Sequence, residues 1–367
     1  MRLRYLLDHT GKLGLSQQYP DGSLPAGHNG PYHDPETPVR NTAHFLHLFA
    51  ALYERTGDSA YKVAGEKAIS YLMSSKARPF DRTFYCRDKP GKDKCNGLVG
   101  QAWVIEALVK AAEVFDRPDC YQLAEDVFLL HPWDEHVGIW SRVDVDGTVL
   151  TYDKTFNHQL WFAAAGAMLA QTPIAARRAK CFIEKIASNV QLYSNGVIFH
   201  ASPMGQLSDY YKTSFWNYSR EVFSRFFLNR KYKDLYSKSA GYHGFNLYAF
   251  ALLYYVFPKE VFWGSNRLKR MMELASDQGF IADVRESVYG YRYNISGIEI
   301  AYAVETFFPE KTDEITAWLQ RQLKETHRDD AHPLTRGVAD EATAIARIYQ
   351  AARLKGDYEV EIASEYW

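Results

Sequence analysis

The sequence predicts an all-α fold, an (α/α)6 toroid in which six helical hairpins close into a ring. Three observations predict it. Twelve segments repeat apolar residues at the spacing of an α-helix. The segments fall into six pairs, and the first helix of each pair is the more apolar, as an inner position demands. Connections within pairs are short while those between pairs are long, so a closed ring would gather the long ones on one face.

In chain order, segment 4–17 is the outer partner of the last inner helix. The first hairpin joins 39–56 to 60–75 across a Gly57-Asp58 break, and the second joins 96–115 to 120–130. The third pairs 156–170 with 174–193, the fourth 243–257 with 266–276, and the fifth 294–307 with 311–327. Segment 337–353 completes the series, and 214–239 has room for a further helix inside a loop. The inner starts are spaced 57, 60, 87, 51 and 43 residues apart, too uneven for an open solenoid of regular repeats. The long connections are 18–38, 76–95, 131–155, 194–242, 277–293 and 328–336. A small β-hairpin is expected over 143–150, around Asp146-Gly147. No linker-like stretch interrupts the chain, so residues 1–367 read as a single domain.

Composition narrows the function. The 367 residues carry 43 basic and 44 acidic side chains, a balance that argues against a nucleic-acid binder. The N-terminal apolar run is too short for a signal peptide, and no stretch approaches the ~18 apolar residues of a membrane span, so the expected location is cytoplasmic. Cys86, Cys95, Cys120 and Cys181 form no CxxC pair, and no phosphate-cradling GxxxxGK[ST] or DDxxD motif occurs; no metal or cofactor is expected. The 26 Tyr, 21 Phe and 8 Trp exceed the ordinary and offer faces on which sugars stack.

In a ring of this kind the N-termini of the inner helices point toward the long-loop face and favour anions there. Ahead of the first inner helix stands HDPETPVRNTAH. Arg40 and His44 lie four apart and share a helix face, as a carboxylate-binding guanidinium and an acid–base imidazole would, with Asn41 beside them. Loop 76–95 holds seven basic residues against three aspartates, which suggests an acidic ligand; a merely solvated loop is the plainer alternative. Asp93, Asn96, Gln101 and Trp103 lead into the second inner helix, where Gly97 and Gly100 hint at close approach. At the third, capping explains Asp153 or Thr155 but not Asn157, His158 and Gln159 together, next to Trp161; proton transfer and carboxylate polarisation would use them. His243 opens the fourth, Tyr291 and Arg292 precede the fifth, and Asp340 starts the sixth, where an acid also serves as a helix cap.

These residues resemble the six-hairpin carbohydrate-active superfamily. The stretch NGLVGQAWVIEAL resembles the Gly-Gln-Ala-Trp inner-helix motif of unsaturated glucuronyl hydrolases. From HDPETPVRNTAH through CNGLVGQAW, and along most of its length, the chain also resembles the AglQ-type proteins of surface-glycan assembly clusters. Asn157-His158-Gln159-Leu160-Trp161 is similar to the Asn-His-x-x-Trp segment of toroidal alginate lyases, where Asn and His neutralise a uronate and support proton abstraction, usually with a Tyr. The resemblances imply a glycan substrate containing uronic acid. The aspartate pair of the hydrolases is not matched residue for residue.

The expectation is therefore an enzyme acting on an acidic oligosaccharide or polysaccharide. Hydrolysis is the first reading, with Asp34, Asp93, Asp153 or Asp340 donating a proton and a second carboxylate activating water. Elimination or C5-epimerisation is the alternative, with Arg40 and Asn157 on the carboxylate and His158 removing the C5 proton. A non-catalytic glycan-binding scaffold is the third. The sequence assigns no oligomeric state.

Overall fold

A computed structural model describes residues 1–201, 204–230, 232, 235–329 and 332–361, and it is a toroid of helices. The inner helices are Val39–Thr56, Gly97–Phe115, Phe156–Met168, Tyr236–Val256, Ser296–Phe307 and Glu341–Ala346, the last continuing as a 3-10 helix over Arg347–Arg353. Each packs on the next, and the 3-10 segment packs on the first, which closes the ring. The outer helices are Leu3–Gln17, Ser59–Leu72, Pro118–Leu130, Pro173–Glu184, Asn266–Glu273 and Thr312–Thr326.

The inner helices lack a polar stripe because both faces are covered. In the second, every residue from Gly97 to Leu108 is buried. The short connections carry ordinary termination signals. Gly57 takes a left-handed φ of 70° after the first inner helix, and Asp58 caps the next by accepting the Ala60 N–H at 2.9 Å. Pro118 and Pro173 open their helices, where the missing N–H costs nothing.

The structure differs from the expected boundaries at three places. The fourth inner helix starts at Tyr236, not 243, because its polar-looking first turns pack tightly. A Cβ on Gly241 would lie 2.6 Å from the Ser287 Oγ and the Tyr289 carbonyl carbon. The sixth is regular only from Glu341, where Asp340 accepts the Thr343 N–H at 3.2 Å. The third outer helix stops at Glu184 and a separate turn follows over Ile186–Asn189.

The long loops do gather beside the N-termini of the inner helices. Three strands, β1 (Trp133–Asp134), β2 (Ile139–Val143) and β3 (Val149–Tyr152), form a small antiparallel sheet in order β1-β2-β3, with the expected hairpin between the last two. The 194–242 connection holds helices Leu207–Thr213 and Phe215–Arg230. The latter points Phe215, Trp216 and Phe223 outward, so Trp216 is no sugar platform in the central cavity. Among the described residues, no helix is long and apolar enough to cross a membrane, and no group of three His, Cys, Asp or Glu is placed to hold a metal ion.

Candidate active site

A cavity of about 180 Å³ opens at the N-terminal ends of the inner helices. Of the expected site residues, Asp34, Arg40, Asn96, Trp103, Asn157 and His158 line it. The long loops and the fourth inner helix add Asn29, Tyr32, His200, Lys238, Tyr242 and Tyr293, which sequence reasoning missed or left without a role.

The chemically most distinctive pair is Asp153 and His158. The His158 Nδ1 lies 2.8 Å from an Asp153 carboxylate oxygen, which also accepts the Leu98 N–H at 3.0 Å. The other Asp153 oxygen accepts the Thr155 N–H at 3.1 Å. Burial alone would raise this carboxyl; His158 and the two N–H donors outweigh it and hold Asp153 at about 2. An ionised Asp153 fixes the proton on Nδ1 and leaves Nε2 as a lone-pair base on a ring that lines the cavity. Gly97 makes the arrangement possible. Its φ is +61°, and a Cβ there would sit 2.6 Å from both the Asp153 oxygen and the His158 Nδ1.

Immediately before His158 in the chain, Asn157 is buried in the cavity wall with neither amide atom hydrogen-bonded. An orphaned buried amide costs ~1–3 kcal/mol, so both atoms call for a partner from within the cavity, a ligand or an ordered water. His200 also exposes an unpartnered, buried Nδ1; burial, then Lys238 and His158, push its pKa well below the ordinary value and keep it neutral.

The arginines are different. Arg40 donates to both Glu36 oxygens at 3.1 and 3.3 Å and to Asn29, and lies 4.1 Å above the Trp103 ring. Its Nε–H faces His44 Nε2 at 3.4 Å. His44 is stacked on Tyr349 behind it, and burial and the charge of Arg40 drive its pKa well down. His44 thus spends its Nε2 on orienting a guanidinium, and it is not among the residues that line the cavity. Arg347 pairs with Glu299 and donates to the Asn294 Oδ1 at 3.0 Å.

The expected proton donors are likewise committed. Asp34 is ringed by Lys92 at 2.6 Å, Lys89 at 3.4 Å and Arg87 at 3.8 Å. Asp93 binds Arg87 at 2.9 Å and Arg142 at 2.7 Å, and accepts the Gly97 N–H. Asp340 accepts the N–H groups of His28, Gly30 and Thr343 and is a cap. At each, burial alone would raise the pKa, but the cations and N–H donors prevail and hold it below the usual carboxylate value. Three of the seven basic residues of loop 76–95, Arg87, Lys89 and Lys92, are spent on Asp34 and Asp93.

Several expected binding residues hold the scaffold together, outside the cavity. Gln101 donates to the Phe84 and Cys95 carbonyls and accepts the Phe84 N–H, pinning the basic loop; Gln159 does the same to both backbone groups of Trp140. Asn41 donates to the Pro25 carbonyl at 2.8 Å. Trp161 is core, stacked on Phe245 and donating to its carbonyl. His243 accepts the Ile198 N–H and contacts the Met271 carbonyl, which uses both its nitrogens. Tyr291 is buried near Trp318, while Arg292 lies on the outer surface 3.9 Å from Glu325. Helix starts carry polar residues for loop anchoring as often as for ligands, and sequence spacing does not separate the two.

The fold of this ring of helices is similar to that of several solved sugar-acting proteins. D-mannose isomerase superposes with a TM-score of 0.63 at 13% identity, over 95% of either chain. Cellobiose 2-epimerase of Spirochaeta thermophila gives 0.62 at 12%, over 95% of this chain and 96% of that one. An inactive variant of an α-1,6-mannanase of Salegentibacter, bound to α-1,6-mannotriose, gives 0.54 at 10%, over 95% and 98%. No family model matches the sequence. Archaeal glycosylation protein Q of Haloferax volcanii is 40% identical over 363 residues, covering 97% of this chain and 98% of that protein. The chain belongs to the family of that glycosylation protein.

Proposed function

We propose that this protein is an enzyme of glycan assembly that moves a proton at a carbon of an acidic, uronate-type sugar. The observation that carries the reading is the Asp153–His158 dyad, with Nε2 unbonded, beside the unpartnered amide of Asn157. His158 Nε2 removes the proton next to the sugar's carboxyl or carbonyl group. The electron pair moves onto that group's oxygen, where the Asn157 amide donates to the developing charge. A solvent proton delivered to the other face, with the abstracted one lost from His158 to solvent, gives the epimer; expelling a substituent from the next carbon gives an unsaturated sugar. Kinship with a glycosylation protein supports the glycan setting, and a fold shared with an isomerase and an epimerase accommodates this chemistry.

Hydrolysis fits less well. A glycosidase needs a carboxyl group kept protonated near neutral pH. Asp34, Asp93, Asp153 and Asp340 are all held ionised, while Glu36 and Glu299, whose carboxyls burial raises, lie outside the cavity lining and pair with Arg40 and Arg347. Glucuronate-containing oligosaccharides incubated with the protein in D2O separate the reactions. Deuterium bound to sugar carbon indicates epimerisation or isomerisation, and ultraviolet absorbance from a new C4–C5 double bond indicates elimination. A reducing end released with neither would overturn the proposal in favour of hydrolysis.

A further inference from the structure

Most cations at the cavity have acidic partners. Arg40 has Glu36, Arg347 has Glu299, Arg87 has Asp93, and Lys92 has Asp34. Lys238, in the first turn of the fourth inner helix, lines the same cavity without one. Its ammonium rests on aromatic faces instead, 4.7 Å from the Tyr32 ring centre, 5.3 Å from Tyr289 and 5.8 Å from Tyr242. The Tyr32 and Tyr242 hydroxyls meet at 2.9 Å, and the rings of Tyr32, Tyr242, Tyr289 and Tyr293 lie 5.5 to 6.2 Å apart in a continuous cluster.

We infer that Lys238 on this tyrosine platform is the subsite that reads the negative charge of the substrate, a sugar carboxylate. The inference rests on the proposed acidic-sugar chemistry and adds to it the residue that sets the specificity. A half-buried ammonium holds its place against tyrosine faces at a cost in lost hydration that an anion would restore. Burial, and then the positive charge of Lys92, lower Lys238 to about 8, and no carboxylate contributes against them. Arg40, the residue the sequence offered for this role, has its charge balanced by Glu36 and its Nε and Nη1 donors committed to His44, Glu36 and Asn29. Lys238 came from a stretch that the sequence placed in a loop, so its position at a helix start was not visible. The tyrosines around it supply apolar ring surface for the sugar's C–H face, next to the charge.

The test measures binding of methyl glucuronide and methyl glucoside, an acidic and a neutral version of one sugar, to the full-length protein by calorimetry. The wild-type protein is expected to prefer the glucuronide. Lys238→Met is expected to lose about 10- to 100-fold of that preference, the value of one charge-assisted contact, while glucoside binding stays within threefold. Lys238→Arg, which keeps the charge, is expected to restore at least part of it, and both variants should keep the wild-type melting temperature. If Lys238→Met unfolds, Lys238→Gln replaces it. A wild-type preference that survives in the neutral variants overturns the subsite and leaves the proposed chemistry standing. A wild-type protein with no preference for the glucuronide overturns the acidic-sugar reading and the subsite with it.

Discussion

Arg40 and Arg347 both line the cavity, and each has its charge balanced by a glutamate and rests against an asparagine and an aromatic face. His158, Asn157 and Lys238 line the same cavity with capacity left over: a free ring nitrogen, an unbonded amide and an ammonium with no carboxylate. Both sets are polar and lie at helix starts, so from the sequence they look alike. The difference teaches that a charged group in a cavity is a candidate for function only after its partners have been counted. Arginine–glutamate pairs buried in this way fix the geometry of the ring, because a broken pair leaves an uncompensated charge. The unspent groups contribute little to that geometry.

The largest expected effect comes from breaking the closed set. Arg347→Ala removes a buried guanidinium with its bonds to Tyr293, Asn294 and Glu299 and should lower unfolding free energy by about 3–5 kcal/mol, read by denaturant titration. Adding Glu299→Gln should recover part of the loss. A melting temperature unchanged in the single variant would show that the pair does not brace the ring.

Breaking the open set should leave stability alone and remove activity. His158→Ala is expected to reduce turnover by about 10²–10⁴-fold, with stability within ~1 kcal/mol of wild type. Substantial residual proton exchange into the sugar would remove His158 from the mechanism.

Gly97→Ala sits between the two sets. The added Cβ meets Asp153 and His158 at 2.6 Å, so the dyad must separate. The left-handed φ of +61° adds about 1–2 kcal/mol of strain. Activity should fall at least ~10-fold, with a modest loss of stability. Unchanged kinetics would mean that the dyad is not held as tightly as drawn.

The subtlest distinction is in pH dependence. Burial raises Glu299 to about 7, against 4.5 for an unburied glutamate, and Arg347 only partly offsets it. Between these values the folded chain keeps a proton that the unfolded chain has released. This contribution to stability is therefore full below about pH 4.5 and lost as the pH rises to about 7. Asp153 has the opposite sign: held at about 2, it stabilises above pH 3.8 and loses that contribution as the pH falls. Glu299→Gln should flatten the slope between about pH 4.5 and 7, and Asp153→Asn only the acid limb. Unfolding free energies measured from about pH 2 to pH 8 check both.

The twelve ring helices were legible because long apolar periods and short Gly-Asp or proline-marked turns are local properties. Asn157 and His158 were legible for a related reason, being polar residues that capping could not explain beside a wholly apolar helix. Gln101 and Gln159 looked the same and proved to be anchors, since their partners are the Phe84 and Trp140 backbones, 17 and 19 residues earlier. Tyr32, His200 and Lys238 carried no signal, being polar or aromatic residues in or beside long loops whose path no periodicity dictates.

By itself, then, the amino-acid sequence determined the helices, their pairing and the face on which the loops meet, because periodicity and turn chemistry act within a few residues of one another. Only the tertiary structure decided which polar side chains found partners and which line the cavity with capacity to spare. That depends on pairs such as Arg347 with Glu299 and Lys92 with Asp34, 48 and 58 residues apart, which burial at one axis brings into contact.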